Sequence, residues 1–177
     1  MDFRFNEEQE ELRSIARAFL AENSGSEQVR SAMESEIGWS EDLWNQLGSE
    51  LGWASVQIPE AYGGLDLGYV ELAALMEIAG EHLLCAPFFS SACLGANALL
   101  AAGSEAQKTE LLPGIAEGQS RATLAHAGSG GGPGCPAVTP VWRREGGEFI
   151  LDGTHSFVVD GHSADLLIVA ARREGSQ

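Results

Sequence analysis

The chain has 177 residues, of which 44% are hydrophobic, so it is long and apolar enough to fold around a packed core as one domain or two small ones. Its net charge of −16, from 26 acidic and 10 basic residues, excludes nucleic acid as a favoured partner because phosphate binding needs clustered cations. No apolar run reaches the ~18 residues of a membrane span, and the acidic N-terminus lacks the features of a signal peptide, so we expect a cytoplasmic protein.

Apolar residues recur at helical spacing through the first two thirds of the chain. Asn6 and Gln9 fit a capping box and predict an amphipathic helix over residues 7–23. Ser40 predicts the start of a second helix, and Gly52 predicts its end. Three further helices are predicted from about Tyr69 to Leu83, from about Ser90 to Ala102, and from Ser104 to the segment LLPGIAEG.

The hydrophobic period shortens after Gln119. Short apolar or alternating segments follow, separated by glycine-rich turns; they are RATLAHA, AVTPVW, GEFILDG, HSFVVDG and LLIVAAR. They predict an antiparallel sheet or an incomplete barrel, in which Pro140 marks an edge or a bulge. The charge changes at the same place, with 20 acidic and 5 basic residues in 1–120 but 6 and 5 in 121–177. We therefore predict an α+β protein, with a helical domain at 1–119 and a partial β-domain at 120–177.

Three segments carry motifs of one family, in the family's order. The first, LGWASVQIPEAYGGLDLGYVELAALMEIAG, contains Gly-Trp, then Pro-Glu-x-Tyr-Gly-Gly, then a predicted helix. The second, GSEAQKTELLPGIAEGQSRATLA, contains Gly-Ser-x-x-Gln-Lys, and the third, LDGTHSFVVDGHSADLLIVAAR, contains the Ala-Asp block. This set resembles the acyl-CoA dehydrogenase family over nearly the whole chain. The resemblance implies an N-terminal helical domain followed by part of the middle β-domain, with the C-terminal domain absent.

The segment IPEAYGGLDLG resembles the family's turn between helices beside the acyl-binding region. Pro59 fixes one φ angle, and Gly63 and Gly64 permit a positive φ or a close approach of two backbones. Tyr62 is expected to pack the turn against the helices. We predict that these side chains have a structural role rather than a chemical one.

The resemblance implies that FAD lies against the β-domain. Alignment without gaps places one flavin-facing strand of the family on residues 124–128 and another on residues 157–159. The implied cofactor-binding residues, through backbone groups and through ring stacking at the phenylalanine, are Leu124, His126, Ala127, Phe157 and Val159. The serine of the family's following loop falls on Pro133, which is the implied substrate-binding residue.

This chain departs from the family at positions that face the flavin. Ala127 and Val159 stand in place of hydroxyl residues, and Gly128 stands in place of a glutamate. A hydrogen bond contributes ~0.5–1.5 kcal/mol net, so two or three losses weaken binding about tenfold to a thousandfold. We therefore expect the isolated chain to purify colourless or with substoichiometric FAD.

No catalytic or metal-binding residue is predicted within the chain. The family's base is a glutamate in its C-terminal domain, beyond Gln177. His126, His155 and His162 are isolated histidines, and His155 stands where the family usually has lysine, which indicates a surface or structural role. The cysteines form no CxxC pair, so reduced and mostly buried thiols are predicted rather than a metal site; they are Cys85, Cys93 and Cys135.

Three functions remain open. The first is desaturation of an acyl-CoA thioester at Cα–Cβ with hydride transfer to FAD, of which this chain would be a portion. The second is a degenerate, noncatalytic subunit that completes the FAD or acyl site of a competent dehydrogenase subunit. The third, a helical interaction module without a ligand, fits the Ala-Asp block and the strand order less well. The strand LLIVAAR leaves an unpaired edge, so we expect a homo-oligomer or a complex with a second acyl-CoA dehydrogenase subunit.

Overall fold

A computed structural model describes residues 4–127 and 140–176 of the chain. In chain order the helices are α1 (Glu7–Asn23), α2 (Ser26–Glu34), α3 (Glu41–Asn45), α4 (Tyr69–Glu81), α5 (Asn97–Ala102) and α6 (Glu105–Ala116). Two π-helical segments, Gln46–Glu50 and Phe89–Ala96, continue α3 and lead into α5, and 3-10 turns occupy Trp53–Ser55 and Glu60–Tyr62. Within the described part of the chain, no helix is long and apolar enough to cross a membrane.

The caps confirm the predicted helix starts. The Asn6 side chain accepts a hydrogen bond from the main-chain N–H of Gln9, and the Gln9 side chain accepts one from Asn6 in return. Ser40 and Ser104 cap α3 and α6 in the same way, by accepting from a main-chain N–H three residues ahead. The third predicted helix ends earlier than expected because Leu83 adopts a positive φ of 51°, which no helix interior accommodates.

Helix α2 was not predicted, because the segment NSGSEQ was interpreted as an interruption between helices. In the structure a helix begins directly after Gly25, which has no side chain with which to cap it. None of the residues of α2 is buried. Its apolar residues, Val29, Ala32 and Met33, do recur at helical spacing, but they span little more than one turn, which is too short a stripe to predict a helix between polar flanks.

The helices enclose two apolar clusters. The larger cluster is built around tryptophans, and Trp53 packs against Phe88 with ring centroids 5.7 Å apart. The smaller cluster joins Ile58 and helix α6 to Ala122, the first residue of the first strand. The Trp44 indole also donates a hydrogen bond of 2.8 Å to the carbonyl of Gly118. The smaller cluster therefore packs the start of the β part against the helical part.

The turn IPEAYGG has the structural role predicted for it. Pro59 has a φ of −59° and precedes the 3-10 turn Glu60–Tyr62. Gly63 adopts a positive φ of 81°, and a Cβ on Gly64 would lie 1.9 Å from the carbonyl oxygen of Ile58. The Tyr62 hydroxyl lies 2.7 Å from a carboxylate oxygen on helix α6, to which it donates a hydrogen bond.

The strands confirm a β part after the helical part, and their pairing is mixed. In chain order they are β1 (Ala122–Ala125), β2 (Val141–Glu145), β3 (Glu148–Asp152), β4 (Leu166–Val169) and β5 (Arg172–Arg173). Strands β2 and β3 form an antiparallel hairpin, because Gly146 and Gly147 adopt the positive φ angles that a tight hairpin turn needs. Strand β1 pairs with β4 in parallel, and β2 pairs with β5 in parallel. The predicted all-antiparallel arrangement therefore holds for the hairpin alone.

The segment HSFVVDG is a turn rather than the predicted strand. Phe157 and Asp160 both have positive φ angles, of 56° and 51°, which break an extended backbone. Two side chains from other elements hold the turn: Ser90 donates to the Asp160 carboxylate at 2.6 Å, and Thr123 donates to the carbonyl of Val159 at 2.7 Å. Alternation of apolar residues could not reveal these tertiary anchors.

Candidate functional site

Strand β1 presents one unpaired edge at the positions implied for the cofactor. The carbonyls of Arg121 and Ala125 accept hydrogen bonds from β4 and the residue after it, at 3.0 and 2.9 Å. Neighbours in a strand direct their main-chain groups to opposite edges. The N–H and C=O groups of Leu124 and His126 therefore point away from β4, to an edge with which no strand pairs in the part of the chain that is described.

The second implied segment lies directly beside this strand. The main-chain N–H of Ser156 donates to the carbonyl of Ala127 at 3.2 Å. One residue earlier, the ring of His155 contacts the same carbonyl at 2.8 Å. With the hydrogen bond from Thr123 to Val159, these contacts fix the turn 155–160 against β1. The structure thus brings together the two segments that the alignment pointed to.

The implied side chains differ in how far they reach the surface. Phe157 is 85% exposed and Val159 is 43% exposed, so both project outwards from the turn. His126 is exposed, with its Nδ1 atom 3.4 Å from the carbonyl of Leu124, while Leu124 and Ala127 are half-buried. Gly128 and the implied substrate-binding residue, Pro133, lie outside the described residues.

A cleft of about 470 Å³ opens on the other side of the turn, between the two small sheets. Its floor is apolar and is formed by Ala125 on β1 with Leu167 and Val169 on β4. Asp152 and His162 place titratable groups on its wall. The cleft separates the exposed turn from the hairpin β2–β3.

Two interactions that hold this region together were not predicted from the sequence. Arg121 and Asp165 form a paired contact at the starts of β1 and β4, with guanidinium–carboxylate distances of 2.8 and 2.7 Å. The hydrogen bond from the Arg121 guanidinium holds the pKa of the Asp165 carboxyl below its usual range. Thr123, fully buried, is the second anchor. The Ala-Asp block pointed to Asp165, but nothing local in the sequence identified its partner.

The described residues contain no group of three or more histidine, cysteine, aspartate or glutamate side chains that converges on a metal site. Cys85 and Cys93 are free and half-buried. Burial raises the pKa of the Cys93 thiol, which favours its protonated form. Cys135 lies outside the described residues.

The helical part exposes apolar side chains on and beside α4. Tyr69 and Val70 at its start are 64% and 52% exposed, and Leu83 beyond its end is 69% exposed. Phe89, at the start of the second π-helical segment, is 49% exposed and lines a recess of about 260 Å³ together with Leu83. Apolar exposure on this scale is typical of a surface that another element or chain covers.

Comparisons with known proteins agree on one family. The model of the acyl-CoA dehydrogenase N-terminal domain matches residues 6–119. Acyl-CoA dehydrogenase IpdE2 of Mycolicibacterium smegmatis is 35% identical over 165 residues, which cover 93% of this chain and 43% of that protein.

Solved structures give the same result. The ChsE4–ChsE5 complex of Mycobacterium tuberculosis matches with a TM-score of 0.86 and 27% identity, over 98% of this chain and 46% of the solved one. An acyl-CoA dehydrogenase of Bacillus anthracis complexed with FAD matches with a TM-score of 0.88 over 98% of this chain and 30% of its own, and at 24% identity it shows the fold alone. The chain spans less than half the length of these relatives.

Proposed function

We propose that this chain, which belongs to the acyl-CoA dehydrogenase family, forms part of a flavoprotein. That flavoprotein would desaturate an acyl-CoA thioester at Cα–Cβ. The observation that carries the proposal is the unpaired edge of β1 beside the exposed ring of Phe157. The bound FAD would supply a two-electron acceptor that takes the β-hydrogen as hydride. The family resemblance implies acyl-CoA as the substrate.

The residues present fit a flavin in part. The main-chain groups of Leu124 and His126, on the edge of β1 with which no described strand pairs, offer hydrogen-bond donors and acceptors to a ring system, and the exposed Phe157 side chain can stack on it. Ala127 and Val159 offer no hydroxyl. The main-chain carbonyl of Val159 is already engaged by Thr123. Residues Leu124, His126 and Phe157 would therefore hold the flavin, with fewer hydrogen bonds than the family's pattern supplies.

Flavin binding is tested by titrating FAD into the full chain and following visible absorption and flavin fluorescence. The unmodified chain is expected to hold less than one FAD per chain. Restoring the hydroxyls with Ala127→Thr plus Val159→Thr is expected to tighten binding roughly tenfold or more, the value of one or two hydrogen bonds. Val29→Thr, on the distant helix α2, is the matched control and should leave the affinity unchanged.

One tightly held FAD per unmodified chain would show that the missing hydroxyls are harmless. No gain in the double variant would remove Ala127 and Val159 from the flavin site. The dehydrogenase activity is tested separately, on the product of the complete coding sequence, by acyl-CoA-dependent reduction of an electron-accepting dye. Absence of dye reduction across acyl chain lengths would contradict the desaturase proposal.

A second function is favoured by two observations. The flavin-facing hydroxyls are missing, and a solved relative, ChsE4–ChsE5, is a complex of two components. A noncatalytic subunit that completes the FAD or acyl site of a competent acyl-CoA dehydrogenase subunit would need fewer of its own flavin contacts. The exposed Leu83 and Phe89 would then be covered by the partner or by a second copy of this chain.

Sedimentation at micromolar concentration tests this association. We expect a defined oligomer, because the net charge of −16 opposes non-specific aggregation. The same run with a dehydrogenase subunit encoded nearby distinguishes a mixed complex from self-association. A single 18.7 kDa species that melts cooperatively without a partner would contradict both forms of association.

The division into a helical domain at 1–119 and a partial β-domain at 120–177 is also a proposal. The family-model match over residues 6–119 supports it. The packing of Ala122 among the helices predicts that cleavage near residue 120 destabilises both parts. Limited proteolysis tests this prediction. The expected cytoplasmic location remains a prediction, for which cell fractionation is the test.

A further inference from the structure

The ring of His155 bridges two main-chain carbonyls. Its Nδ1 atom lies 2.8 Å from the carbonyl oxygen of Ala127, and its Nε2 atom lies 2.8 Å from that of Ala170. A carbonyl oxygen only accepts hydrogen bonds, and a neutral imidazole has a single N–H to donate. A neutral ring would therefore place an unprotonated nitrogen against a carbonyl at hydrogen-bond distance. The imidazolium, with two N–H groups, satisfies both contacts.

We propose that His155 is a positioning residue whose protonated ring joins the ends of β1 and β4, and that loss of one proton releases one of the two bonds. Ala127 lies two residues beyond the end of β1, and Ala170 directly follows β4. The ring is half-buried, which limits competition from water for the two carbonyls. This bridge through the His155 ring fixes the position of Ala127 next to the unpaired edge of β1. The bridge does not depend on flavin binding.

Titratable and charged groups lie near the ring. Asp152 and His162 line the same cleft as His155. Arg172 lies two residues beyond Ala170, and the exposed His126 adjoins Ala127. The Asp160 carboxylate of the adjacent turn accepts the hydrogen bond from Ser90.

Thermal melting of the full chain between pH 5.5 and 8 tests the proposal. The measured quantity is the difference in Tm between the unmodified chain and His155→Ala at each pH, which cancels the background titration of the other groups. The contribution of the charged ring is present at acid pH and is lost as the pH rises and the ring deprotonates. We expect a difference of roughly 4–8 °C at pH 5.5 that falls to about half at pH 8.

His126→Ala is the matched control, because that histidine is exposed and its one contact, to the neighbouring Leu124, is 3.4 Å long. Its Tm difference should be small and flat across the range. His155→Gln, which does not titrate, replaces His155→Ala if the latter fails to fold. A Tm difference for His155 that does not change with pH, or that follows the His126 control, would overturn the proposal.

Nitrogen-15 NMR of the labelled histidine rings provides a second, direct readout that a merely structural side chain would not give. At pH 5.5 both nitrogens of His155 are expected to carry protons, each with slowed exchange and a coupling across its hydrogen bond to a carbonyl carbon. A neutral ring with one N–H in the folded protein at that pH would also overturn the proposal.

Discussion

The helical and β parts of this chain are stabilised by different interactions. In the helical part, apolar side chains close around Trp44, Trp53 and Phe88, each at most 3% exposed. Among the described residues of the β part, Ala122, Thr123 and Ala125 on β1 are buried, as is Pro140, and no residue described between 141 and 176 is buried. Its strands are held by main-chain pairing, by the packing of Leu166 and Ile168 against the smaller helical cluster, and by polar contacts at their ends. The free energy of burying apolar area does not depend on pH or on the orientation of the buried groups. The strength of hydrogen bonds and ion pairs, in contrast, depends on geometry and charge.

This difference explains why the candidate site lies where it does. A turn that is fixed by a few hydrogen bonds can expose a ring such as that of Phe157, because it does not need that ring for its own stability. The helical part supplies the rigid support, through Ser90 on the second π-helical segment and through the packing of Ala122. The polar anchors are accordingly the positions at which small changes should alter the site without unfolding the chain.

The largest contrast is expected between two leucines. Leu75 on α4 is fully buried, and Leu75→Ala should lower the free energy of unfolding by ~2–5 kcal/mol through lost burial and a cavity. Leu167 on β4 is 50% exposed, and Leu167→Ala should cost less than about 1 kcal/mol. Urea unfolding followed by tryptophan fluorescence measures both. Equal losses would mean that the β part has an apolar core of its own.

The second contrast is between two glycines of the helical part. Gly64→Ala would drive a Cβ against the Ile58 carbonyl and should cost ~1–3 kcal/mol or more, since the neighbour is backbone. Gly80→Ala, on α4 with open space around it, should stabilise the chain by ~0.5–1 kcal/mol through helix propensity. Thermal melts of both variants give the comparison. A neutral Gly64→Ala would contradict the close approach in the turn.

Thr123 tests the polar anchoring of the β part. Thr123→Val keeps the shape of a fully buried side chain but removes the hydrogen bond to the carbonyl of Val159, at a cost of ~1 kcal/mol. Thr109→Val, on the exposed surface of α6, is the control and should cost less. Hydrogen exchange measured by mass spectrometry should increase in the turn 155–160 for the first variant alone. Unchanged protection there would show that the turn is held by other contacts.

The smallest expected effect concerns pH. The pKa of Asp165 is lowered in the folded chain by the guanidinium of Arg121, so its contribution to stability is present above the unfolded pKa of ~3.9 and is lost as the pH falls through the folded pKa. The carboxylate is 42% exposed, so solvent screening limits the contribution at pH 7 to about 1 kcal/mol or less.

Asp165→Asn should therefore be less stable than the unmodified chain at pH 7 and should approach it in stability near pH 3. Denaturant titrations at both values measure the difference. Asp42→Asn, at the exposed start of α3, serves as the charge-matched control. A constant difference between the Asp165 variant and the unmodified chain from pH 7 to pH 3 would exclude the ion pair as its source.

The sequence by itself determined the features that depend on neighbouring residues. The capping box of Asn6 and Gln9, the caps at Ser40 and Ser104, and the glycines of the turn at 63 and 64 follow from local hydrogen bonding and backbone sterics, and the structure has them where they were predicted. The change from helical to strand period located the β part. The ordered motifs identified the family, because they combine many such local requirements over the whole chain.

Tertiary structure alone decided the features that join residues far apart in the chain. The parallel pairing of β1 with β4 depends on the course of the chain between them, since no tight turn links the two strands. Phe157 and Val159 lie on a turn rather than a strand because Ser90 and Thr123, which are distant in sequence, supply hydrogen bonds that outweigh strand propensity. The bridge of His155 between Ala127 and Ala170 likewise exists only after both strands are in place. A local sequence pattern cannot predict such contacts, because the contacting residues meet only when the helical core has fixed the strand ends in space.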